Sequence, residues 1–199
     1  MKSLYTTFLC LTFSIVLHAQ GLNTWIGGVG DWNVASNWDL GVVPFPTQDV
    51  LIPGDGDRVS INPNITATCG SVTISHPEAA LWVLGVLNID ASQSSDGIIN
   101  DGSLLVFAQG ISNVTDCGGP GAEGDGIVNN GTLNVIGDVS IANDINESGI
   151  RNTTDGSIIV QPAGEIIFGA GISFRGINNV GGTVTNEGTI RANNALGAA

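Results

Sequence analysis

Basic residues are nearly missing from this chain. Lys2 is the only lysine, and the arginines are Arg58, Arg151, Arg175 and Arg191. Against them stand 18 acidic residues, for a formal net charge of −13. Phosphate binding needs clustered Lys and Arg, so nucleic acid is excluded as a partner. Histidine is almost as scarce, with His18 and His76 alone. Zinc-ligand spacing cannot be assembled from them. A Ser-His-Asp site would depend on His76, with no nucleophile elbow beside it. Charged residues make up only 12% of the chain, which is too apolar a composition for disorder. Beyond residue 19 no apolar run approaches the ~20 residues of a spanning helix, so the mature chain is not expected to be transmembrane. No amphipathic helical pattern occurs there either.

Residues 1–19 read as an export signal. Lys2 supplies the positive start, Leu9 to Leu17 most of the apolar stretch, and "LHAQ" a cleavage point after Ala19. A secreted or cell-surface location follows. Cleavage removes Lys2 and leaves four arginines against the 18 acids, which are scattered and suit solubility outside the cell. It also removes Cys10. Cys69 and Cys117 remain, either as a disulfide in an oxidising exterior or as two buried thiols.

Glycine is abundant, at 29 residues, and it hides a repeat. "GIIN" at Gly97, "GIVN" at Gly126, "GIRN" at Gly149 and "GINN" at Gly176 share a Gly-Ile-x-Asn core. Each is followed by Gly-Ser/Thr and an aliphatic residue: "GSL" at Gly102, "GTL" at Gly131, "GSI" at Gly156 and "GTV" at Gly182. "GTI" at Gly188 leaves the register of the last repeat ambiguous. Short alternating runs such as "TLNV", "DVSI" and "EIIF" lie between the phrases, with one face inward and one outward. A period of 20–50 residues built from short strands indicates a solenoid. The expected fold is all-β: a right-handed parallel β-helix, or β-solenoid, whose coils bury their apolar sides only by stacking. Asn100, Asn129, Asn152 and Asn179 then fall on one corner of successive coils. There they form an amide ladder, and Asn tolerates the left-handed backbone a sharp corner uses. A polar binding stripe is the alternative role. "DRVSI", "GSVTI", "ALWVL" and "GVLNI" read as earlier strands in looser register.

The N-terminal half carries a more specific pattern. W-x-G-G-x-G-x-W-x-x-x-x-N-W starts at Trp25, and G-x-x-P and D-V-x-I follow; "ATCGSVTI" and "LWVLGVLNI" come next. This resembles the start of large exported bacterial surface proteins built on β-helices, of the autotransporter-like and adhesin-like kind. The resemblance implies a structural or adhesive role at a host or matrix surface. No sorting or barrel module accompanies it. Residues 20–52 are expected to be a Trp-rich cap with the first strand, and residues 53–199 the coils. Trp25, Trp32 and Trp38 would plug the raw first edge; a glycan-stacking platform is their alternative role. The chain stops just after a repeat phrase, with no aromatic beyond Phe174. The coils are therefore expected to be incomplete at the C-terminus, with self-association through the uncovered last coil.

Candidate chemistry is thin. "GPGAEG" matches Gly-x-Gly-x-x-Gly but precedes strand and turn rather than a helix, so no dinucleotide site is expected. "GGPGAEGDG" partly matches one copy of a glycine-rich calcium repeat, with Glu123 where Asp belongs. Asp116, Glu123 and Asp125 are the nearest approach to a cation set, and a solvated loop is the plainer reading. No cofactor is expected. Acidic-sugar enzymes on β-helices need converging basic residues, which four dispersed arginines do not supply. A structural or adhesive segment is the leading expectation, and a carbohydrate-binding or carbohydrate-cleaving solenoid is the alternative.

Overall fold

The computed structural model describes residues 21–92, 96–118 and 124–193. Residues 1–19, expected from the sequence to be an export signal, and the tail 194–199 lie outside them. A single 3-10 turn, Ala35–Asn37, is the one helical element among the described residues. The rest of the regular structure is strand.

β1 (Asn23–Thr24) and β2 (Val29–Asp31) begin the stack. Six three-stranded coils follow. The first has β3 (Val50–Ile52), β4 (Arg58–Ile61) and β5 (Thr66–Cys69). The second has β6 (Val72–Ile74), β7 (Ala80–Val83) and β8 (Val86–Asp90). The third has β9 (Ile98–Asn100), β10 (Ser103–Val106) and β11 (Ile111–Thr115). The fourth has β12 (Ile127–Asn129), β13 (Thr132–Val135) and β14 (Asp138–Ala142). The fifth has β15 (Ser148–Asn152), β16 (Ser157–Val160) and β17 (Glu165–Phe168). The sixth has β18 (Arg175–Asn179), β19 (Thr183–Asn186) and β20 (Thr189–Ala192). Equivalent strands stack into three sheets: β1-β3-β6-β9-β12-β15-β18, β2-β4-β7-β10-β13-β16-β19 and β5-β8-β11-β14-β17-β20. Strand pairing is parallel in all three sheets. The molecule is a parallel β-solenoid.

Alternation decides what each strand buries. In "TLNV" Leu133 and Val135 are buried, while Thr132 and Asn134 face out. Because coils stack in register, inward positions form columns. One column of the first sheet is Val50, Val72, Ile98, Ile127, Ile150 and Ile177. In the second sheet Val59, Leu81, Leu104, Leu133, Ile158 and Val184 share a column. Aliphatic side chains thus meet their like one coil away, at the sheet spacing of ~4.8 Å. The repeated glycines permit that approach. A Cβ added at Gly131 would run into the Gly102 carbonyl oxygen of the coil before.

Two register questions resolve. "GTV" at Gly182 leads into β19 of the second sheet, whereas "GTI" at Gly188 leads into β20 of the third. The early runs are not loosely placed: β3 to β8 keep full register with the later coils. The Trp-rich segment is itself part of the stack, since Val29 to Asp31 pair with Arg58 to Ser60.

The two ends differ. The first is closed by buried tryptophan rings. At the other, β18, β19 and β20 each have a neighbour on one side only among the described residues. Val184 lies in an inward column yet is 39% exposed, and Phe174 is 76% exposed.

Candidate functional site

The interior polar groups serve coil-to-coil contact. Asn100, Asn129 and Asn152 are fully buried. Asn100 Nδ2 donates to Asn129 Oδ1, Asn129 Nδ2 to Asn152 Oδ1, and Asn152 Nδ2 to Asn179 Oδ1, each at 2.8 Å. Asn179 Nδ2 ends the run on the Gly182 carbonyl at 2.9 Å. The amides also close the turns beside them: Asn100 Nδ2 reaches the Thr132 carbonyl at 3.0 Å and Asn129 Nδ2 the Ser157 carbonyl at 3.1 Å. These residues end strands and have no left-handed backbone. Among the described residues the non-glycine positive-φ positions are Asn64, Asp116, Asn143 and Asp144, in the turns. The expected left-handed corner role therefore fails for the ladder asparagines, whose side chains bridge coils from extended backbone. A binding stripe is also ruled out for the three that are buried. Below Asn100 the column continues as Ile74 and Ile52. Asn100 Oδ1 consequently faces an aliphatic neighbour and has no partner.

A second polar line precedes the repeat glycines. Asp96 Oδ1 accepts the Asp125 amide at 2.9 Å, and Asp125 Oδ1 accepts the Ser148 amide at 3.0 Å. Asp125 is 1% exposed, and its Oδ2 pairs with Arg151 Nε at 2.5 Å. Burial raises the Asp96 carboxyl pKa, and the Asp125 charge adds to the rise. The hydrogen bond to Asp125 raises that of Arg151. Both Asp125 oxygens are thus engaged within the stack, so Asp125 is not free to complete a cation set. Asp116 takes a left-handed turn position, its amide donating to the Asn143 carbonyl. Glu123 lies outside the described residues.

Cys69 and Cys117 are free and buried, which corrects the disulfide alternative. Cys69 is in register with Ile89, and Ile89 with Val114. Two coils, or roughly 9–10 Å of sheet spacing, therefore separate Cys69 from the coil of Cys117. That exceeds the Cα separation a disulfide spans. Burial pushes the Cys69 thiol up strongly, with Asp49 adding to it. Burial, with Asp96 adding, pushes Cys117 up to about 12.

Trp25, Trp32 and Trp38 are each 1% exposed. Trp38 packs edge-to-face on Trp25 at 5.0 Å and on Trp32 at 4.9 Å. Trp38 Nε1 donates to the Trp32 carbonyl at 2.7 Å, and Trp25 Nε1 to the Gly28 carbonyl at 2.9 Å. No ring face is left for a sugar, so the platform alternative does not hold for these three.

The candidate site lies instead on the outer face of the second sheet, where the fourth tryptophan stands. Trp82 alternates outward between buried Leu81 and Val83. Arg58 Cζ sits 4.3 Å from its ring centroid, and Phe107 packs against it edge-to-face at 5.5 Å. Leu84 and Leu105 face out beside them, both half-buried. Pro63, Leu84, Phe107, Ala108 and Gln109 wall a corner pocket of about 260 Å³. Gln161 Nε2 donates to Asn134 Oδ1 at 3.3 Å on the same face. Sequence reasoning missed Trp82: "ALWVL" is apolar at every position, so no alternation in the sequence marks the ring as outward. The third sheet presents a groove of about 240 Å³, lined by Pro46, Thr68, Cys69, Asn88, Ile89, Asp90, Asn113 and Thr115. There Asn113 Nδ2 donates to Asn88 Oδ1 at 2.8 Å.

No protein-family model matches the chain, and neither a curated protein nor a solved structure does. The chain's functional reading rests on its own geometry.

Proposed function

We propose that this chain is a structural and adhesive segment of an exported bacterial surface protein. It works as a stiff solenoid that shows its outer faces to a partner. One observation carries the reading: six coils stack in register into three parallel sheets, whose alternating strands turn every second side chain outward. The buried polar groups support the same reading. The asparagine ladder and the Asp125–Arg151 pair are consumed in coil contacts, which leaves the interior to stiffness and the exterior to recognition.

The test is export followed by assay. The full chain with a C-terminal epitope, expressed in a bacterial host, should leave the cytoplasm as a form beginning at Gln20, as intact mass would record. The purified mature chain should leave polysaccharide viscosity unchanged. A cytoplasmic product retaining residues 1–19 would overturn the exported role. Hydrolysis of a polysaccharide would overturn the structural one.

A further inference from the structure

We propose that the outer face of the second sheet around Trp82 and Phe107 binds a neutral glycan, with one sugar ring seated against Phe107 in the corner pocket. The proposal rests on the adhesive reading above and names its partner.

Three observations lead to this ligand. First, Trp82 and Phe107 stand outward on adjacent coils, unlike the three buried tryptophans. One face of a sugar ring is mostly C–H, and it packs well on the negative face of an aromatic ring. Second, the pocket walls are Pro63, Leu84, Phe107, Ala108 and Gln109, with no charged side chain among them. The polar groups nearby are carboxamides, Gln109, Asn134 and Gln161, which match sugar hydroxyls as both donors and acceptors. Arg58 is the one cation on this face among the described residues, and its guanidinium lies over Trp82. An acidic polymer would meet that single cation and an acidic molecule around it. Third, the patch is small. A pocket of about 260 Å³ falls below the size of drug-like sites. A sugar ring fits a pocket of that scale, whereas a stable protein interface takes ~800 Å² a side.

The groove on the third sheet is the weaker candidate, since it offers no aromatic ring and carries Asp90.

The test is affinity electrophoresis of the chain from residue 20 onward, which contains every described strand. The gels would hold xyloglucan, glucomannan, hydroxyethyl cellulose or laminarin, with alginate as the acidic control. At least one neutral polysaccharide should retard the protein, and alginate should not. Trp82→Ala and Phe107→Ala should weaken the retardation about tenfold or more, as loss of a central aromatic anchor does. Ala108→Lys, at an exposed rim position, should do the same without touching the core. Phe174→Ala, on the distant last coil, should leave it unchanged. Melting curves would accompany each variant, and Ala108→Lys decides if an aromatic variant melts early. Retardation by alginate alone, no retardation by any neutral polymer, or retardation that Ala108→Lys leaves intact would each overturn the site. A retarded protein that also cleaved the polymer would keep the site and overturn the structural reading. An exported protein with no retardation would do the reverse.

Discussion

A thiol reacts as its thiolate, and burial suppresses that form. Cys69 and Cys117 are both buried with raised pKa. In the chain from residue 20 onward they are the only cysteines. We predict that a disulfide-exchange reagent at pH 8 counts no thiols in the folded protein and two after denaturation. No thiols after denaturation would mean that the pair is oxidised. The asparagine ladder gives a graded prediction at the same scale. Asn129 has amide partners on both sides, whereas Asn100 has one above and Ile74 below. Asn129→Ile strands the Asn152 oxygen and removes a link, at a cost of roughly 2–4 kcal/mol. Asn100→Ile extends the aliphatic column and only moves the partnerless oxygen from Asn100 to Asn129, so a smaller loss of about 1 kcal/mol is expected. Equal losses in urea denaturation would show that position in the ladder does not matter.

At the scale of the element, the tryptophan segment is a closing layer. Trp38 touches both other rings and bonds the Trp32 carbonyl. Trp38→Ala should cost ~3 kcal/mol or more, as large-to-small changes of buried aromatics do. An unchanged denaturation midpoint would rule out the plug. The strands themselves were legible. The phrases at Gly97, Gly126, Gly149 and Gly176 lead into β9, β12, β15 and β18, because a stacked fold repeats what its coils share. The first coils were harder to read, since Ile52 and Ile74 hold the column that asparagine takes later. A repeat search sees identity, and stacking needs only a shared inward face. The Asp96–Asp125 line was missed for the same reason: its column changes to Ser148 and Arg175 in later coils. Trp82 was missed because an outward aromatic in a short strand looks, by composition, like a core residue.

For the whole molecule, charge and edges act together. Acidic residues are spread over the body, but the last coil carries Arg175 and Arg191 against Glu187. Arg191 is already paired with Glu165 at 2.7 Å. Repulsion between two copies is therefore weakest at β18, β19 and β20, which have a neighbour on one side only among the described residues. The tryptophan plug closes the opposite end, so association through the last coil should stop at pairs rather than grow into filaments. Val184→Lys places a charge on the uncovered inward column and should block pairing. Sedimentation velocity across a concentration series tests the central claim most directly, that the tryptophans plug the first coil while β18, β19 and β20 each keep one unpaired edge among the described residues. We predict a monomer shifting to a dimer and nothing larger as concentration rises, with Val184→Lys held monomeric. A wild-type chain that stays monomeric throughout, or one that grows without limit, would contradict it.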